Sequence, residues 1–209
     1  MRKRAREAAA VLLLLGGAAA QEPQTVFEDR FEEKLGEGWS WLRENKDAWR
    51  IREGALEIRV EPGAAHSVKN ALLRKAPDRK EGRYAIEVTV TNLSVPTQQY
   101  EQAGITWYVD GKPVFKFVKE LVDGKRRIVV PGTLVPMESD TVQLRLVVKG
   151  DSYVAQYRPE AGGEYRAAGE GKLPPQGEDQ VSLQCYHGPP DKEHWFRFDD
   201  FRVLKLPAE

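Results

Sequence analysis

A two-residue period, interrupted by Asp-Gly and Pro-Gly pairs, is the feature that most limits what this chain can fold into. Tyr84, Ile86, Val88 and Val90 alternate with Ala85, Glu87, Thr89 and Thr91. Val142, Leu144, Leu146 and Val148 alternate with Gln143, Arg145, Val147 and Lys149, and Val181, Leu183 and Cys185 with Ser182, Gln184 and Tyr186. Successive side chains of a strand point to opposite faces, so each run describes a strand with one face toward a core. Asp110-Gly111, Asp123-Gly124 and Gly150-Asp151 separate such runs and read as hairpin turns, since glycine accepts the positive φ these turns need. They join 103–109 to 113–121, 113–121 to 126–130, and 141–149 to 152–158. The one weak helical candidate is Glu28–Lys34. Roughly a dozen strands with turn signals every 8–12 residues or so predict an all-β sandwich. The connections are too short for parallel crossovers, so the two sheets are expected to be antiparallel.

The ends and the charge set the setting. Residues 1–20 read as a secretory signal peptide: the basic start MRKRARE, an apolar run, and Ala18-Ala19-Ala20 before Gln21. The run is short of the roughly 20 residues that span a bilayer. Residues 21–209 then form one exported domain, with no membrane insertion after cleavage. Its final place is the periplasm, the cell surface or the medium. The 32 basic and 32 acidic residues balance, and losing the leader leaves a small acidic excess. Such a chain has no electrostatic footprint for nucleic acid. The one cysteine, Cys185, excludes an internal disulfide and reads as a small buried hydrophobe.

Several stretches carry candidate chemistry. In GWSWLREN, an extended chain places Trp39, Trp41 and Arg43 on one face, either as a sugar-binding platform or as a core edge capped by arginine. Sugar sites combine aromatic faces with planar hydrogen-bonding groups. Trp107, Gln184, Tyr186, His187 and Trp195 are further candidates, the last four flanking a loop rich in Gly and Pro. Glu138-Ser139-Asp140 before Gln143 is similar to the acidic strand of laminarinase-type jelly rolls. The second glutamate that hydrolysis needs is replaced by Gln143. His187 and His194, with Asp191 and Glu193 between them, match no zinc spacing. Asn92-Leu93-Ser94 is a glycosylation sequon. No nucleophile elbow, P-loop or dinucleotide fingerprint is present.

The order of motifs resembles a known family. Phe27-Glu28-Asp29-Arg30-Phe31, Gly38-Trp39-Ser40-Trp41-Leu42-Arg43, Gln102-Ala103-Gly104-Ile105 before Trp107-Tyr108, and the closing Phe198-Asp199-Asp200-Phe201-Arg202-Val203 carry it. Together they resemble the concanavalin A-like jelly rolls of the laminin-G type. They are most similar to the C-terminal β-sandwich of family-43 β-xylosidases and to exported domains of unknown function related to it. The resemblance covers the mature chain. It implies a concanavalin A-like sandwich of two antiparallel sheets, with Trp41 and Arg43 where the first strands enter. It also implies a structural Ca²⁺ held between terminal strands, with Asp29 and Asp200 as candidate ligands; no other cofactor is required. The function expected is carbohydrate recognition without catalysis. The alternatives are a glycoside hydrolase of the 3-keto-disaccharide type and a cell-envelope interaction module.

Overall fold

A computed structural model describes residues 21–159 and 161–208. The leader at 1–20 lies outside the described residues. Fifteen strands follow in chain order: β1 (Gln24–Asp29), β2 (Ser40–Leu42), β3 (Trp49–Arg52), β4 (Ala55–Arg59), β5 (Ala71–Lys75), β6 (Arg83–Asn92), β7 (Gln102–Val109), β8 (Lys112–Val122), β9 (Lys125–Val130), β10 (Thr133–Pro136), β11 (Thr141–Lys149), β12 (Ser152–Arg158), β13 (Arg166–Lys172), β14 (Asp179–Tyr186) and β15 (Trp195–Leu206). All pairings are antiparallel. The first sheet runs β13-β12-β11-β6-β15-β4-β3, with β1 also on β15; the second runs β10-β9-β8-β7-β14-β5-β2. The all-β, two-sheet sandwich is what the alternation predicts.

The expected hairpins are present. β7 turns into β8 at Asp110-Gly111, β8 into β9 at Asp123-Gly124, and β11 into β12 at Gly150-Asp151. Asp110 and Asp123 take φ of 50° and 51°, ahead of glycines at 71° and 70°. That is the left-handed pair a tight hairpin requires.

The helix expected over Glu28–Lys34 does not form. β1 pairs with β15, which places Asp29 opposite Phe201. The Asp29 carboxylate then accepts from the backbone N–H groups of Phe31 and Gly36, at 2.8 and 2.7 Å. Phe31 itself sits at φ 53°. An aspartate that bonds nearby backbone in a turn competes with helix, and here the turn wins. The only helical element among the described residues is a 3-10 turn, Lys46–Ala48.

One continuous core fills the space between the sheets. β7 contributes Ala103, Ile105 and Trp107, β14 contributes Val181, Leu183 and Cys185, and β6 contributes Ile86, Val88 and Val90. Cys185 is buried and free, and burial pushes its thiol far above the ordinary value, so it serves as packing. Asn92 of the sequon is 8% exposed, which removes it as a surface acceptor in the folded chain.

Because Trp107 faces inward, Gln102, Thr106 and Tyr108 of β7 face outward, and so do Ser182, Gln184 and Tyr186 of β14. This outer face of the second sheet carries its own apolar cluster of Val68, Ala71, Leu73, Tyr108 and Tyr186.

Candidate functional site

The outer face of the second sheet gathers Gln102, Thr106, Ser182 and Gln184 with the rings of Tyr108, Tyr186, His187 and Tyr100. Register fixes who meets whom. Thr106 stands opposite Ser182, Gln184 opposite Gly104, and Tyr186 opposite Gln102. On the next strand, Lys116 stands opposite Thr106 and Glu120 opposite Gln102.

Two networks follow. The Lys116 ammonium donates to Gln102 Oε1 at 2.9 Å and to Glu120 Oε2 at 2.6 Å, while Gln102 Nε2 donates to the Tyr100 carbonyl at 2.7 Å. Beside them, the Tyr108 hydroxyl donates to Gln184 Oε1 at 2.9 Å, and the Ser182 hydroxyl donates to the same oxygen at 3.1 Å.

His187 joins these groups because β14 ends in a sharp turn. Its φ is 61°, and its N–H donates to the Gly63 carbonyl. The ring then lies 5.3 Å from Tyr186 and 6.1 Å from Tyr100, measured between centroids. Tyr100 is 48% exposed, so the three rings descend from solvent to the buried Tyr186. Rings in this order can offer a sugar an apolar face beside polar groups.

Electrostatics keep the face close to neutral. Burial raises the Glu120 carboxyl above its ordinary value, with Lys116 opposing. Burial, then Glu120 and Tyr108, raises the Tyr186 phenol. Burial, then the Lys116 charge, lowers the His187 imidazole, so it is neutral at pH 7.

The residues proposed from sequence separate into groups. Gln184, Tyr186 and His187 come together. Trp195 does not join them: it lies on β15 in the other sheet, with the Arg50 guanidinium 4.2 Å over its ring. Trp107 is fully buried in the core, its indole N–H unpartnered, and presents no face to a ligand. Trp41 is half-buried at the core margin, packed against Trp49 with ring centroids 4.8 Å apart and planes tilted by 38°. Trp39 packs against Phe201 at 4.9 Å and donates from Nε1 to Asp29. Arg43 leaves their row because β2 ends at Leu42 and Arg43 turns to φ 55°. Its Nε donates to the Val68 carbonyl at 2.6 Å, which puts its charge near Tyr108. GWSWLREN is therefore a core edge, with its arginine turned toward the second sheet's outer face.

The two candidate cation ligands sit in different settings. Asp29 already accepts from Phe31, Gly36 and the Trp39 indole. Asp200 is exposed at a bulge in β15, with φ 49°. Among the described residues no group of three or more His, Cys, Asp or Glu is arranged to hold a metal ion. His194 is separated from His187: its Nδ1 lies 2.7 Å from the buried Glu101. Glu138 and Asp140 are exposed and share Arg126. Gln143 lies across the first sheet, where it accepts from Arg158 and Tyr165.

Sequence reasoning passed over Tyr108, Thr106, Gln102, Lys116 and Glu120. A usable signal was present. The alternate residues Ala103, Ile105 and Trp107 are apolar throughout, whereas Gln102, Thr106 and Tyr108 all carry polar atoms, so the latter series belongs to the outer face.

Residues 28–174 match a family model described as the β-xylosidase C-terminal concanavalin A-like domain. Among solved structures, the GH43 BlXynB protein from Bacillus licheniformis is similar at 20% identity and TM-score 0.72, covering 86% of this chain and 39% of that one. A xylan β-1,4-xylosidase from Bacillus halodurans C-125 is similar at 15% identity and TM-score 0.71, covering 93% of this chain and 41% of that one. The CBM2 module of the evolved Dit of Lactobacillus casei BL23 phage J-1 is 7% identical with TM-score 0.62, and the match covers 91% of this chain and 99% of that module. At these identities the likenesses show the fold alone. The chain spans about two fifths of the length of the two Bacillus structures. No curated protein matches the sequence.

Proposed function

This chain belongs to the family of β-xylosidase C-terminal concanavalin A-like domains, and from that premise we propose that it is an exported, non-catalytic module recognising carbohydrate on the outer face of its second sheet. The observation that carries the reading is one assembly. The Tyr100, His187 and Tyr186 rings stand beside the Lys116–Gln102–Glu120 network and the Tyr108–Gln184 pair. Aromatic faces take the C–H side of a sugar ring, and the planar amides and phenols take its hydroxyls.

A non-catalytic role is supported by the carboxylate inventory. Glu120 is the one carboxylate of the group, and Lys116 holds it. Glycoside hydrolysis needs two carboxyl groups across the scissile bond. Export rests on the leader at 1–20 read from the sequence. No helix among the described residues is long and apolar enough to cross a membrane. The Ca²⁺ implied by the family resemblance carries no part of the recognition.

The test is a calorimetric titration of the mature chain, from Gln21, with neutral and acidic polysaccharides, with and without Ca²⁺. Saturable binding to one glycan class, equal in EDTA, is expected. Heat without saturation for every polymer would end the recognition reading.

A further inference from the structure

Two polar side chains on the second sheet's outer face have hydrogen-bonding capacity that the protein does not use. Gln184 is fully buried. Its Oε1 accepts from both Tyr108 and Ser182, and its Nε2 has no partner. Reversing the amide changes which end is held, since the two hydroxyls can accept as well as donate, but one end still stays empty. Thr106 is 1% exposed, and its hydroxyl also has no partner. The two are diagonal neighbours on adjacent strands, because Thr106 faces Ser182 and Gln184 faces Gly104, which brings no side chain to the face. A buried polar group left unmet destabilises a fold, so two on one face point to a partner that the chain itself does not supply.

We infer that Gln184 and Thr106 form the floor of a subsite that binds the hydroxyl groups of an uncharged saccharide. The inference rests on the carbohydrate reading above and sharpens it to a ligand class and two residues. A sugar hydroxyl suits this floor because it donates and accepts at one atom. It can take a proton from the amide and give one to the threonine oxygen. A carboxylate suits it poorly, since it only accepts, and the nearby Lys116 is already bound to Glu120 at 2.6 Å. Lys116 also gives the route in. It stands directly opposite Thr106 on the same face, and its side chain is 33% exposed. A shift of that flexible stem opens the floor to a ligand lying against Tyr100 and His187.

The experiment titrates wild type and Thr106→Val with xylohexaose, cellohexaose, mannohexaose and hexagalacturonate, at low and high salt, and measures each protein's Tm. Valine keeps the shape and removes only the hydroxyl. The expected result has four parts. One neutral hexasaccharide binds wild type, salt leaves that binding unchanged, T106V binds it at least fivefold more weakly, and the T106V Tm is equal or higher. Equal affinity in T106V overturns the subsite. A lower T106V Tm with equal affinity also overturns it, by showing that the hydroxyl serves the fold through buried water. Preference for hexagalacturonate, fading with salt, overturns the uncharged ligand and leaves the carbohydrate reading standing. No binding of any hexasaccharide by wild type removes the carbohydrate reading, and this inference with it.

Discussion

On the outer face of the first sheet, Glu57 lies between Arg50 and Arg197, at 2.7 and 2.8 Å, and Glu87 between Arg145 and Arg202, at 3.5 and 3.0 Å. On the outer face of the second, Gln184 is held at one end by two hydroxyls and at the other by nothing. Both faces come from the same alternation of inward apolar and outward polar residues. They differ in how the outward groups are used. The first face joins opposite charges on neighbouring strands, an arrangement that satisfies the sheet internally. Its arginines also leave Nε groups unbonded, at Arg145, Arg197 and Arg202, but each belongs to a guanidinium already paired with a glutamate. The second face keeps neutral donors and acceptors in reserve, beside rings that reach solvent. A face that completes itself stabilises the sandwich, and the face that does not is the one on which the proposed recognition rests.

The largest expected effect breaks the first face and spares the second. Burial works to raise the Glu57 carboxyl, but hydrogen bonds and charge from Arg197 and Arg50 outweigh it and hold the group below its ordinary value. Its contribution is therefore full above the unfolded carboxylate pKa and is lost as pH falls through the lower folded value. Glu57→Ala leaves two guanidiniums facing each other and should cost about 3 kcal/mol in denaturant unfolding at pH 7. Glycan affinity of the folded variant should not change.

The second expected effect probes the interior, where neither arrangement is available. Lys119 is 2% exposed and donates to the Asp140 carbonyl. Burial, then the nearby Arg126 charge, lowers its pKa from 10.5 to about 7. Below that value folding carries the whole cost of a buried cation. From there to 10.5 the unfolded chain keeps a proton that the folded chain has released, so stability rises with pH. Lys119→Met should add roughly 2 kcal/mol near pH 6 and flatten that rise, as urea titrations across the range would show. An unchanged slope would place the charge elsewhere.

How much of this was legible in the sequence depends on how far apart the deciding residues are. Hairpins such as Asp110-Gly111 were legible because the turn and its strands are local. The sidedness of β14 was legible because Ser182, Gln184 and Tyr186 alternate with apolar residues. Trp41 and Arg43 were not, because the row ends at a single left-handed residue, Arg43, and Trp41 is claimed by Trp49 from the neighbouring sheet. Trp107 was named as a candidate and Tyr108 was not. Alternation says that the two differ in side, and only the core identifies which side is dry. Trp195 was grouped with Gln184 because eleven positions look close in sequence, yet the chain changes sheets between β14 and β15. The turn that displaced the Glu28–Lys34 helix depends on pairing between β1 and β15, from opposite ends of the chain.

The smallest expected effect sharpens the second face. His187 titrates below its ordinary 6.5 because of burial and Lys116. A lowered histidine pKa means that stability is full above the unfolded value and falls as pH drops through the folded one. Its imidazolium would also stand near Lys116. Glycan affinity should therefore weaken by about threefold as pH falls through the folded His187 value, below 6.5, and His187→Gln should remove the dependence.

The most direct measurement is amide and side-chain NMR of the mature protein during titration with a neutral oligosaccharide that binds. Shifts concentrated at Tyr100, Gln102, Thr106, Lys116, Gln184 and His187 are the predicted result. Shifts concentrated at Arg145, Glu87, Arg202, Glu57 and Arg197, with the second sheet unmoved, would contradict the assignment of recognition to the unfinished face.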